Sequence, residues 1–168
     1  MTPLETIDLL EDRSLRGPDF CRALTERIDG FLAEVFAAAD PPTGTALVAV
    51  GGYGRREQCP GSDVDVVLVH PPGVDIADVA ERVWYPLWDA GLKLGHQVGT
   101  LPQLLEVASE HLDTATSLLA ARPVAGDPAV AERLAAEALE QWSGRSRRHL
   151  DDLQASVAER HARYGEVA

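Results

Sequence analysis

Asp63 and Asp65 flank Val64 at the start of an apolar run that continues through Val69. Residues two apart on a strand face the same way, so their carboxylates come close enough to share a metal ion. Like charges so placed repel unless a cation joins them. Mg²⁺ is the natural candidate, because it prefers oxygen ligands, keeps several waters, and is commonly held by one or two carboxylates together with substrate phosphates. The alternative is a turn at Gly61-Ser62-Asp63, with Asp63 capping the chain and Asp65 pointing to solvent, since aspartate favours turns and caps. Upstream, Gly51 and Gly52 directly follow the apolar run Ala46 to Val50. A strand that ends in such a turn and passes into a helix offers backbone N–H groups to a phosphate, and glycine removes the side chain that would hold the phosphate away. The dinucleotide fingerprint G-x-G-x-x-G fails, because Gly52-Tyr53-Gly54 is followed by Arg55, Arg56 and Glu57, and the P-loop Gly-Lys-Ser/Thr is absent.

These residues need a strand on each side of the glycine turn, and the surrounding pattern supplies them. A helix is expected over 19–39, with Phe20, Leu24, Ile28, Phe31, Leu32 and Val35 on one face, after a shorter helix near Leu4 to Leu10. The turn at 39–45 leads into the strand Ala46 to Val50. Beyond Pro71-Pro72-Gly73, the three-four spacing of Ile76, Val79, Ala80, Val83, Trp84, Leu87 and Trp88 predicts an amphipathic helix, with Asp75 as N-cap, Gly91 as stop and both tryptophans in the core. A third strand follows over Leu92 to Val98, and Thr100 caps a helix from Leu101. After that the pattern gives only helices, around 115–121, 127–142 and 144–164. The chain divides into an N-terminal helical segment (1–45), a core (46–110) and a C-terminal helical segment (111–168).

The chain of 168 residues suffices for a substantial core, and its formal charge of −12 argues against non-specific attraction to nucleic acid or an anionic membrane. No apolar stretch reaches the roughly eighteen residues of a membrane span, and the N-terminus, with Glu5, Asp8, Glu11 and Asp12, lacks a signal-peptide plan, so the expected location is the cytoplasm. Cys21 and Cys59 lie far apart with no CxxC spacing and read as reduced thiols. His96 either lines the site or is structural; His70, His111, His149 and His161 show no ligand spacing.

The order apolar residue, Gly-Gly, ten residues, Asp-x-Asp resembles the signature of the DNA polymerase β nucleotidyltransferase superfamily. The match narrows in "GGYGRREQCPGSDVDVVLVH", "LWDAGLKLGHQVGT" and "LLAARPVAGD", which are similar to the N-terminal nucleotidyltransferase domain of the bacterial enzyme that uridylylates or adenylylates the PII nitrogen-signalling protein. That resemblance implies an α+β fold with a small mixed sheet and flanking helices. It implies that Gly51, Gly52 and Ser62 contact nucleotide phosphates, that Asp63 and Asp65 hold Mg²⁺, and that Arg55 and Arg56 reach the triphosphate of ATP or UTP. UMP or AMP would pass to a tyrosine hydroxyl of the PII protein, releasing pyrophosphate; a catalytically incomplete nucleotide-binding or docking module is the alternative. A third metal-binding carboxylate, usual in the superfamily, is not evident on the strand 92–98, with Glu57 and Asp89 as substitutes. The family enzyme continues into hydrolase and glutamine-sensing domains, so a truncated or stand-alone domain is expected.

Overall fold

The computed structural model describes residues 4 and 6–165. The elements run α1 (Ile7–Glu11), α2 (Pro18–Ala38), β1 (Ala46–Ala49), α3 (Gly51–Gly54), β2 (Val64–Val69), α4 (Ala77–Asp89), β3 (Leu94–Gly99), α5 (Leu101–Glu110), α6 (Leu112–Leu118), β4 (Arg122–Gly126), α7 (Pro128–Gly144) and α8 (Ser146–Tyr164). The sheet has the order β3-β2-β1-β4, with β2 parallel to β3 through the α4 crossover and the other two pairings antiparallel. This is the mixed α+β architecture expected from the sequence, and no helix among the described residues is long and apolar enough to cross a membrane.

Alternation along β2 divides the core in two. Val64, Val66 and Leu68 join α2 and α4 residues such as Leu32, Val35, Val83 and Leu87 on one face of the sheet. Val67 and Val69 join Leu104, Leu118 and Leu134 on the other, under α5, α6 and α7. Asp65 belongs to the second row by its register, so the carboxylate stands where the valines would otherwise continue.

Several local predictions hold for identifiable reasons. Thr100 and Gln103 form a capping box on α5, the Gln103 Oε1 accepting from the Thr100 N–H at 2.9 Å. The helix expected over 127–142 is α7, which begins one residue later because Asp127 is its N-cap, accepting from the Ala129 N–H at 3.0 Å. Gly91, with φ +77°, supplies the left-handed residue just past α4, whereas the N-cap of α4 is Ile76 and not the expected Asp75, which stands one residue earlier and accepts from the Ala77 N–H at 3.2 Å. The expected first helix is described from Ile7 onward, and residue 5 lies outside the described residues.

Two expectations are corrected. The chain beyond β3 is not wholly helical: residues 122–126 form β4 on the outer edge of β1, so the sheet draws on residues 46–126. Pro123 and Gly126 disguise this strand, and an edge strand tolerates them because one side needs no ladder partner. Trp88 is not in the core. It is 43% exposed at the end of α4, edge-on to Tyr85, whereas Trp84 is buried.

Candidate active site

The glycine turn and the carboxylates are built against each other by the β1–β2 pairing. The Val50 N–H donates to the Asp65 carbonyl at 3.0 Å, which sets the end of β1 beside the start of β2. The chain then enters α3 through Gly51 at φ +58°, a backbone region that favours glycine. A Cβ at Gly51 would lie 3.2 Å from Asp65 Oδ2 and 3.4 Å from Ser117 Oγ, so glycine is what lets the turn approach the carboxylate. Gly54 is under a tighter constraint, because a Cβ there would collide with the Ala120 carbonyl oxygen.

Asp65 borders a cavity of about 310 Å³, together with Val50, Gly95, His96 and Gln97 from the strands and Asp113, Thr114 and Ser117 from α6. Burial pushes the Asp65 carboxyl above its ordinary range, and the neighbouring Asp63 adds to the shift. Among the described residues, no basic side chain pairs with either aspartate. The reading of Asp65 as a solvent-pointing residue therefore fails: it is half-buried and lines a cavity. Two uncompensated carboxylate groups beside a side-chain-free turn fit a small, hard cation with oxygen ligands.

The other candidate residues are placed around this centre. Gly52 lies on the turn, and the Arg55 guanidinium sits 3.8 Å from where a Gly52 side chain would begin. Arg55 pairs with Glu57 at 2.8 Å, and Arg56, at φ +61°, reaches back to Glu26 of α2 at 3.5 Å. Both arginines are exposed on the shoulder of the turn. Ser62 is exposed in the loop before Asp63, its N–H donating to the Cys59 carbonyl and its own carbonyl accepting from Gln58 Nε2.

The third carboxylate is not supplied by β3. The residue paired with Asp65 there is Gly95, and a Cβ at that position would collide with Asp65 Oδ1. Glu57 is committed to Arg55, and neither it nor Asp89 lines the cavity; Asp113 does. His96 borders the cavity, but its ring lies against Trp84 and Trp88, with centroids 5.1 and 5.5 Å away.

Sequence reasoning missed a second carboxylate centre on the far side of the turn. Asp29 of α2 receives both terminal nitrogens of Arg122 from β4, at 2.7 and 3.0 Å, and the Tyr53 hydroxyl at 2.5 Å. Arg122 Nε also donates to the Gly54 carbonyl at 3.2 Å, so the network clamps the C-terminal end of α3. Burial raises the Tyr53 phenol, with the Asp29 charge adding to it, which keeps the hydroxyl a donor. Ninety-three positions separate Asp29 from Arg122, and no local pattern could pair them.

Comparison with known proteins agrees with the geometry. Residues 18–98, from α2 to β3, match the family described as "Putative nucleotidyltransferase DUF294". A bifunctional uridylyltransferase/uridylyl-removing enzyme of Streptomyces coelicolor is 42% identical over 162 residues, covering 95% of this chain and 19% of that protein. The enzyme of the same name from Mycobacterium tuberculosis is 40% identical over 128 residues, covering 75% of this chain and 16% of the relative. The chain thus spans about a fifth or less of the length of these curated relatives. A solved mutant of the toxin-antitoxin pair MntA-HpeT superposes with a TM-score of 0.50 at 11% identity, over 75% of this chain and 98% of that one, which is a likeness of fold. With a family match through the glycine turn and both aspartates, and relatives aligned over most of its length, the chain is similar to nucleotidyltransferases and to one segment of the uridylyltransferase/uridylyl-removing enzymes.

Proposed function

We propose that this chain is a Mg²⁺-dependent nucleotidyl-transfer domain that moves UMP or AMP from the nucleoside triphosphate to a tyrosine hydroxyl of the PII signalling protein. The observation that carries the reading is the half-buried Asp65, with the exposed Asp63 beside it and no basic partner on either, set against a turn whose Gly51 and Gly52 carry no side chains. The reaction joins the tyrosine oxygen to the α-phosphorus and breaks its bond to pyrophosphate. Asp63 and Asp65 would hold the cation, which, when bound, offsets charge on the triphosphate and on the leaving pyrophosphate. Gly51 and Gly52 leave room for phosphate oxygens, and Arg55, beside Gly52, adds positive charge at the rim. An acceptor phenol with pKa near ~10 must release its proton as it attacks, and the carboxylate cluster is the acidic side of the site that can receive it.

One observation favours a second reading. Gly95 fills the strand position facing Asp65, and a side chain there would displace that carboxylate, so the cluster has no third member from β3. A chain so built would bind the nucleotide and serve as a docking or regulatory module.

Calorimetric titration of UTP and of ATP, with and without Mg²⁺, tests the proposal beside the Asp63→Asn/Asp65→Asn variant. Metal-dependent binding that the variant loses supports it and identifies the nucleotide. Binding indifferent to both metal and substitution overturns it. Pyrophosphate release in the presence of the PII protein, falling at least ~10²-fold in the variant, separates the enzyme from the docking module.

A further inference from the structure

The two cysteines, unremarkable in sequence, meet outside the carboxylate centre. Cys21 lies in the first turns of α2 and Cys59 in the loop joining α3 to β2, 38 positions apart, with their Sγ atoms 3.8 Å from each other. Both are free thiols; Cys59 is exposed and Cys21 half-buried. Moving from that separation to the roughly 2.05 Å of a disulfide requires a small displacement, and the exposed loop is the partner that can make it. Space for the movement is present: a cavity of about 290 Å³ lies under the loop, lined by Leu24, Ile28, Gln58, Cys59, Ser62 and Leu92 among others.

We propose that Cys21 and Cys59 are a redox modification site, a dithiol that a hydroperoxide converts to an intramolecular disulfide tethering the loop before Asp63 to α2. The inference rests on the sulfur geometry and is independent of the nucleotidyltransferase reading. The Cys59 sulfur attacks one peroxide oxygen, the O–O bond breaks, and a sulfenic acid and water form. The Cys21 sulfur then attacks the Cys59 sulfur, the S–O bond breaks, and a second water leaves with the remaining thiol proton. Two thiols and one hydrogen peroxide thus become one disulfide and two waters, and a small dithiol reverses the change. Burial pushes the Cys21 thiol up, with Cys59 adding to the shift, which leaves the exposed Cys59 as the sulfur an oxidant meets first.

The tether acts on a segment that matters to the site, since Ser62 donates its N–H to the Cys59 carbonyl and leads directly into Asp63. The experiment is limited hydrogen peroxide treatment of the full chain, followed by intact mass and non-reducing peptide mapping. The expected result is loss of the two thiol hydrogens, a linked peptide pair containing Cys21 and Cys59, full reversal by dithiothreitol, and no linked pair in C21S or C59S. Amide hydrogen exchange at 59–62 slows in the oxidised chain, and its melting temperature rises by about 5 °C or more. Oxidation of Cys59 to the sulfinic acid with Cys21 untouched, or disulfides only between separate chains, overturns the proposal.

Discussion

Two carboxylate centres flank the same short helix, and they differ in how their charge is met. Asp29 is held by a two-pronged Arg122 and by the Tyr53 hydroxyl, within hydrogen-bond distance on every side. Asp65 stands on the other side of the turn with burial and Asp63 both working against its ionised form. A paired, hydrogen-bonded carboxylate stabilises a fold locally, whereas an unpaired one costs stability until a ligand supplies the missing positive charge. On the proposed function, Asp29 holds the glycine turn and Asp65 uses it.

Removing Arg122 gives the largest expected loss of stability. Arg122→Ala leaves Asp29 without its cation and frees the Gly54 carbonyl; breaking such a mostly buried pair costs about 3 kcal/mol, measured as a lower urea midpoint. Arg122→Lys restores only part of it, because an ammonium cannot reproduce the forked contact. If Arg122→Ala left the urea midpoint unchanged while Asp65→Asn lowered it sharply, the assignment of roles would be reversed.

A smaller effect separates the two centres more cleanly. In Gly95→Ala the new Cβ meets the tip of the Asp65 side chain, which can rotate aside, so the fold should hold within about 1 kcal/mol. The carboxylate, once displaced, no longer pairs with Asp63 on a common cation, and Mg²⁺-dependent nucleotide binding should weaken by about tenfold or more. Unchanged binding by calorimetry would show that Asp65 does not hold the metal in its present orientation.

What the sequence made legible follows the range of the interactions. The glycine turn, the Asp-x-Asp pair, the Thr100 cap, the helix from residue 127 and the strands β1 to β3 are written in neighbouring residues, and all were readable. Edge strand β4 was hidden because Pro123 and Gly126 look like a loop. Asp29 and Arg122, Cys21 and Cys59, and Asp65 and Asp113 are brought together only by packing, which no spacing encodes. Trp88 shows the opposite failure: its helical spacing from Trp84 is right, but in the last turn of α4 it meets Tyr85 and His96 edge-on and stays 43% exposed.

The smallest predicted effect tests the cost of the unpaired carboxylate directly. Because the folded-state pKa of Asp65 is raised above the unfolded value of about 3.9, the native chain holds this proton more tightly. The contribution of Asp65 to stability therefore falls as pH rises from the unfolded pKa through the folded one, and the full cost is present at neutral pH. Asp65→Asn removes that cost, so the variant should be more stable than the parent at pH 7, by less than about 1 kcal/mol given the solvent around a half-buried group. The difference should vanish below pH ~3, where both forms are neutral at this position. Added Mg²⁺ should raise the melting temperature of the parent chain and leave that of Asp63→Asn/Asp65→Asn where it was, since a cation stabilises only the native state that binds it. Equal shifts in both proteins would place the cation elsewhere and make Asp65 a structural carboxylate like Asp29.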